Sequence, residues 1–212
     1  MEILEQISEF LQQGEDEKVL ELTKKAIDQK ISPEQILNRG LLAGMDVIGE
    51  QFKKHEIFLP DVLLAAKAMH AGMEPLKPIL IKEGIPSLGK VVLGTVKGDL
   101  HDIGKNLVGI MLKGAGYEIV DLGKDVAPEK FVETAIAENA QVIGLSTLLT
   151  TTMPMMKKTI EVLKEKSTDG KIKTIVGGAP ISKEFAAEIG ADAYGYDAAN
   201  AVETVKKLFE GN

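Results

Sequence analysis

Two periodicities divide the chain. From residue 3 to about residue 82 apolar positions recur every three to four residues, the spacing of helices with one buried face. Ile3, Leu4, Ile7, Phe10 and Leu11 form a first stripe, ended by Gly14, and Val19, Leu20, Leu22, Ala26 and Ile27 form a second. Ser32-Pro33-Glu34-Gln35 reads as a helix start, with Ser as N-cap, Pro in the first turn and Gln completing a capping box. The helix it opens runs to about Lys54 through Ile36, Leu37, Leu41, Met45, Ile48 and Phe52. Pro60 opens a fourth helix, apolar at Val62, Leu63, Ala66, Met69 and Met73, and Pro75 and Pro78 are expected to kink or divide its end. Residues 1–83 therefore predict a small four-helix bundle.

Glu83-Gly84-Ile85-Pro86-Ser87-Leu88-Gly89 reads as a linker, placed at 84–89. Beyond it, over 90–212, short β-branched runs alternate with helical stretches. The strands expected are Val91–Val96, Glu118–Asp121, Val142–Ser146, Ile172–Gly177 and Ala193–Gly195. The helices expected are Ile103–Lys113, Pro128–Glu138, Met155–Lys166, Lys183–Ile189 and Ala198–Phe209. Such alternation implies a parallel sheet covered on both faces, and right-handed crossovers make it a doubly wound, Rossmann- or flavodoxin-like α/β domain.

Composition adds exclusions. The chain has 212 residues, a formal charge of −7, no Cys and no Trp, with aromatics at 4%. Divided at residue 89, Lys+Arg against Asp+Glu run 10 to 15 and then 15 to 17, so neither part is basic and a nucleic-acid partner is not expected. No apolar run approaches the ~20 residues of a membrane span, and no export signal is visible, so a cytoplasmic protein with no membrane partner is expected. Without Cys, thiolate zinc and iron–sulfur sites are excluded.

In a doubly wound sheet, ligands bind beyond the carboxyl ends of the strands. The loop after the first strand reads Lys97-Gly98-Asp99-Leu100-His101-Asp102-Ile103-Gly104. It holds an imidazole, a common metal ligand, close to two carboxylates that could orient it. Read alone, it is more simply a solvent-exposed loop His beside helix-capping carboxylates. The third strand ends in Ser146-Thr147-Leu148, followed by the hydroxyl-rich Leu149-Thr150-Thr151-Thr152, and the fourth in Gly177-Gly178-Ala179. Small residues there leave room for a slot between the strands.

Taken together, Asp99-x-His101-x-x-Gly104, 41 residues, Ser146-x-Leu148, 28 residues and Gly177-Gly178 resemble the signature of base-off/His-on cobalamin-binding domains. The N-terminal segment, with Gly49-Glu50-x-Phe52 and Phe58-Leu59-Pro60-x-Val62-Leu63-x-Ala65-Ala66-x-Ala68-Met69, is similar to the helical cap of corrinoid methyl-carrier proteins. The resemblance covers essentially the whole chain. It implies that His101 is the lower axial ligand of cobalt, that Asp99 bonds its other ring nitrogen, and that Ser146 extends this relay to solvent. It implies a nucleotide tail in a slot beside Ser146, Leu148, Gly177 and Gly178, with Gly104 letting the helix begin close to it. Gly98, Asp102, Ile103, Thr150, Tyr196 and Asp197 are the further residues expected around the cofactor. Asp121–Val126 is expected at the corrin edge, unless it is an ordinary turn. Met69 and Met73 are the candidates for covering the upper face, unless they simply pack the bundle.

The function implied is carriage of a methyl group on cobalt. One substrate-specific methyltransferase delivers it, a second passes it to tetrahydrofolate or a thiol, and a reductive activator is a further expected partner. The chain lacks the ~250-residue barrel that usually holds such a substrate, so it reads as one component of an enzyme system. The same signature occurs in the cobalamin subunits of carbon-skeleton mutases and in cobalamin-based sensors. A receiver-type signalling domain would share only the sheet.

Overall fold

The short apolar runs become strands, and the three central ones are mostly buried because helices cover both faces, while the edge strands stay partly exposed. In the computed structural model, which describes residues 2–84, 87–166 and 170–210, the order is β1 (Lys90–Thr95), α6 (Ile103–Gly114), β2 (Glu118–Asp121), α7 (Pro128–Ala137), β3 (Val142–Ser146), a 3-10 turn (Thr150–Thr152), α8 (Met153–Lys166), β4 (Lys173–Gly177), α9 (Lys183–Glu188), β5 (Ala193–Gly195) and α10 (Ala198–Glu210). They follow α1 (Ile3–Gln12), α2 (Asp16–Asp28), α3 (Pro33–Gln35), a π-helical stretch (Ile36–Leu42), α4 (Ala43–Lys53) and α5 (Leu59–Lys82). Elements begin and end within a residue or two of the expected positions, where end turns fray and hydrogen-bond patterns change. The chain divides into two units, Met1–Ser87 with Lys113–Gly116, and Leu88–Leu112 with Tyr117–Asn212. Of the expected linker, residues 85 and 86 lie outside the described residues.

The first unit buries Leu4, Ile7 and Leu11 of α1, Val19 and Ala26 of α2, Leu41, Met45 and Ile48, and Val62, Ala65, Met69, Leu76 and Leu80 of α5. Glycines set how closely these helices approach. A Cβ on Gly72 would lie 2.6 Å from Leu41, and one on Gly44 would lie 3.0 Å from the Ser8 carbonyl oxygen. Three expectations change. α5 runs undivided through Pro75 and Pro78. Each proline removes one helix N–H bond at a local cost of about 3 kcal/mol, and the buried Leu76 and Leu80 beside them hold the helix in place despite it. Ser32 is an N-cap with Pro33 behind it, but its side chain makes no cap bond. Ser32 is exposed, so water can satisfy the hydroxyl. The helix expected over 32–54 also widens to π geometry from Ile36 to Leu42, which brings Gly40 against Ile7.

In the second unit all strands are parallel, in the order β2-β1-β3-β4-β5. Connections run opposite ways from β1 and β3, so the loops after these neighbours part and leave a crevice at their carboxyl ends. One sheet face packs Val92, Ile143, Leu145 and Val176 against Phe131 and Val132 of α7 and Met156 and Ile160 of α8. Gly94 belongs to that packing: a Cβ there would sit 2.6 Å from the Phe131 ring. The other face lies under α6 and α10.

Candidate functional site

Asp99 is the centre of the crevice. It has no exposed surface and receives donors on both carboxylate oxygens. Oδ1 accepts from the His101 backbone N–H at 3.0 Å and lies 2.7 Å from His101 Nδ1. Oδ2 accepts from the Thr147 hydroxyl and the Leu148 N–H, both at 2.7 Å, and from the Leu149 N–H at 3.2 Å. Burial pushes the Asp99 carboxyl towards neutrality. The N–H groups of His101 and Leu148, the Thr147 hydroxyl and the His101 ring outweigh it and hold the group well below the usual carboxylate range. An ionised Asp99 accepts only, so His101 Nδ1 carries a proton, and in the neutral ring the lone pair is on Nε2. The His101 side chain is 53% exposed, held at one edge and open at the other.

The partner just past the end of the third strand is Thr147, not Ser146 as the expected relay had it. The reason is the pleat: successive residues leave a strand on opposite faces, so only one of the two can reach the β1 loop. Thr147 is buried, and its hydroxyl lies 2.6 Å from that of Thr152, also buried. Ser146 points to the other face and lines a cavity. Leu148 contributes its N–H to Asp99 while its side chain is exposed, and Thr150 is exposed on the 3-10 turn. The hydroxyl-rich run thus supplies the site through Thr147 and Thr152.

The cavity holds about 310 Å³ between the sheet and helices α6 and α10. Its floor is Val91, Leu93, Gly144 and Ile175, and its rim Gly104, Ser146, Gly177, Gly178, Ala179, Gly195, Tyr196 and Asp197. A Cβ on Gly104 would meet nothing within 4 Å, so that stretch of rim is open. Gly177 and Gly178 are small for a second reason. A Cβ on Gly177 would be 2.8 Å from the Gly195 carbonyl oxygen, and one on Gly178 would overlap the Thr147 carbonyl. Asp197 caps α10 by accepting the Asn200 N–H at 2.7 Å.

The segment after β2 holds the His101 loop from the other side. Lys105, buried on α6, places Nζ 2.6 Å from both oxygens of Asp121, and Asp121 also accepts the Gly123 N–H at 2.8 Å. Thr95 N–H donates to the Gly123 carbonyl, and Val126 N–H to the Thr95 carbonyl. Asp125 accepts from the Gly98 N–H and Lys97, which lower its pKa. Gly98 takes a positive φ of 86°, a conformation that favours glycine.

Around the ring, Leu100, Ile103, Leu148 and Leu149 expose apolar side chains, Ile103 most of all at 80%. Asp102 is half-buried just before α6. In the other unit Met69 is buried and Met73 half-buried, while His55 and His70 are exposed. Lys105, Thr147 and Thr152 were not among the expected site residues, and Asp121 and Asp125 were expected only within the segment at the corrin edge. Strand alternation at 146 and 147 was the one signal able to single out Thr147.

Among the described residues no helix is long and apolar enough to cross a membrane. Two family matches cover most of the chain, each described as a B12 binding domain: residues 3–77 and residues 89–205. The chain is 44% identical over 211 residues, 98% of each protein, to a corrinoid protein of Desulfitobacterium hafniense (strain Y51). It is 42% identical over 207 residues to trimethylamine corrinoid protein 1 of Methanosarcina mazei, covering 97% of this chain and 96% of that one. Among solved structures, the methanol:cobalamin methyltransferase complex MtaBC of Methanosarcina barkeri aligns with a TM-score of 0.87 and 31% identity, over 99% of this chain and 80% of that one.

Proposed function

Because this chain belongs to the B12-binding family of corrinoid proteins, we propose that it carries a methyl group on cobalamin, with His101 as the lower axial ligand in place of the cofactor's own base. The supporting observation is the His101 ring. Its Nδ1 is bonded at 2.7 Å to a fully buried carboxylate and its opposite edge is open. The cavity rimmed by Gly104 suits an extended tail, because nothing of the protein stands in front of that glycine. The exposed Leu100, Ile103, Leu148 and Leu149 suit the apolar underside of a macrocycle.

Cobalamin, when bound, supplies the metal centre on which the methyl group travels. The protein's part is positional and electrostatic. Asp99 fixes the imidazole in the tautomer whose Nε2 is free to donate and makes it a stronger donor through the charge-assisted bond. Thr147 and the Leu148 and Leu149 amides keep that carboxylate ionised and immobile. Ser146, Gly104, Gly177 and Gly178 border the tail's slot, and Tyr196 and Asp197 its outer end.

The partners that go with this reading are a substrate-specific methyltransferase, a second methyltransferase acting towards tetrahydrofolate or a thiol, and a reductive activator, all in the cytoplasm. The relatives' names, trimethylamine corrinoid protein and methanol:cobalamin methyltransferase complex, point to methylamine or methanol as the class of donor. The test is titration of the purified protein with hydroxocobalamin, followed by its visible spectrum. Stoichiometric uptake with a spectral change that His101→Ala abolishes is expected. An identical spectrum in that variant would overturn the ligand assignment.

A further inference from the structure

Asp125 stands outside the crevice yet makes three bonds to the loop that carries His101. Its Oδ1 accepts the Gly98 N–H at 2.8 Å, its Oδ2 the Lys97 ammonium at 3.0 Å, and its own N–H donates to the Asp99 carbonyl oxygen at 3.0 Å. It does so with φ of +58°, a left-handed conformation that Asp, Asn and Gly tolerate and most residues do not. These contacts grip Gly98, itself at positive φ, and the backbone of Asp99, whose carboxylate holds the imidazole.

We infer that Asp125 is a positioning residue for His101, setting the place of the axial imidazole through Gly98 and Asp99 without touching it. The inference rests on the ligand reading above. The bond that matters is the one to the Gly98 amide. The Lys97 pair joins two side chains that are 53% and 42% exposed, where solvent leaves little net attraction. The amide bond fixes backbone, and it has a charged acceptor, which makes it about twice as strong as a neutral one. Without it the amide of Gly98 is no longer anchored, and the Lys97–Asp99 turn depends on the Asp125 N–H bond to the Asp99 carbonyl and the Asp99 N–H bond to the Val96 carbonyl, so the ring is held less firmly against the cavity rim.

Asp125→Gly removes the carboxylate and keeps the left-handed conformation. Asp125→Asn keeps an oxygen for the Gly98 N–H and loses only the charge. Lys97→Ala removes the ion pair alone. The measurement is EPR of each full-length protein reconstituted as cob(II)alamin, with the protein's histidines labelled with nitrogen-15 and the cobalamin unlabelled. A protein imidazole on cobalt then gives doublet splitting, the cofactor's own base gives a triplet, and an unligated lower face gives neither. Wild type, Lys97→Ala and Asp125→Asn are expected to show the doublet. Asp125→Gly is expected to lower the ratio of ligated to unligated imidazole about tenfold, the factor for one hydrogen bond to a charged group. Asp125→Ser, whose hydroxyl is shorter than the carboxylate, makes the test should Asp125→Gly not fold, with the added strain of serine in a left-handed conformation. A doublet of wild-type intensity in both Gly and Ser variants overturns the positioning role alone. So does a loss in Lys97→Ala as large as in Asp125→Gly. A wild-type spectrum without the doublet overturns the ligand reading itself.

Discussion

Replacing Asp99 by Asn tests the core of the site with an almost unchanged shape. A carboxamide has one oxygen where the carboxylate has two, and in wild type both are surrounded by donors: two from His101 on Oδ1, and Thr147, Leu148 and Leu149 on Oδ2. The best rotamer turns the oxygen to the Oδ2 side and the NH₂ to His101. There it faces the backbone N–H, donor against donor, in a place without solvent. One unsatisfied buried N–H costs about 1–3 kcal/mol, and exchanging a charged for a neutral acceptor on the remaining bonds adds about 1 kcal/mol. The expected loss at pH 7 is therefore about 2–4 kcal/mol, a downward shift of about 1–2 M in the urea midpoint. The same NH₂ would donate to Nδ1, moving the ring proton to Nε2 and removing the lone pair from the open edge. The three tyrosines, Tyr117, Tyr194 and Tyr196, lie in the sheet unit and the chain has no Trp, so tyrosine fluorescence reads the unfolding of that unit alone. Acid supplies a second check. The folded pKa of Asp99 is depressed, so its stabilisation is complete above the unfolded value near 4 and is lost as pH falls through the folded one. The gap between wild type and variant should be constant from pH 7 to 5 and narrow in stronger acid. A gap below about 0.5 kcal/mol at pH 7, or one that widens with acid, would refute the account of Asp99 as an ionised hub.

Three further substitutions test separate features. Gly104→Leu should fold with undiminished stability, since its Cβ enters open space, yet weaken cobalamin binding at least about tenfold; unchanged affinity in a spectral titration would remove the tail from this cavity. Asp121→Ala should destabilise the sheet unit by about 3–5 kcal/mol because it strands the buried Lys105 ammonium, whereas Lys105→Met leaves a half-exposed carboxylate and should cost less than half as much; equal losses by tyrosine fluorescence would contradict this asymmetry. Thr23 Oγ1 is buried in the bundle with no partner, so the isosteric Thr23→Val should raise bundle stability by about 1 kcal/mol, read by thermal unfolding in far-UV circular dichroism; a lower midpoint would mean the hydroxyl is satisfied after all.

The layered fold was legible because its signal is repeated: β1 to β4 each carry β-branched residues and the long helices are periodic. The motif residues were legible in the same way for glycines at strand ends, whose small size has a steric cause in the Gly195 and Thr147 carbonyls. What escaped was pairwise and long-range. Thr147 and Ser146 are neighbours of similar chemistry, and only the pleat decides which meets a residue 48 positions away. Lys105 and Asp121 look like surface residues of a helix and a turn until the crossover buries one beside the other. Pro75 and Pro78 carried a local rule that packing of Leu76 and Leu80 overrode.

The arrangement around Asp99 has a bearing on reversibility. Of its donors, only the imidazole is on a side chain free to swing outward; the amides of His101, Leu148 and Leu149 and the Thr147 hydroxyl belong to fixed scaffold. If the ring rotates away, those four hydrogen bonds and a longer one from the Thr152 hydroxyl, at 3.3 Å, still solvate the carboxylate, so the anion is not left without donors in the interior. Docking and undocking of this histidine can then repeat many times, like a latch against a bolted doorpost, without loosening the frame around it.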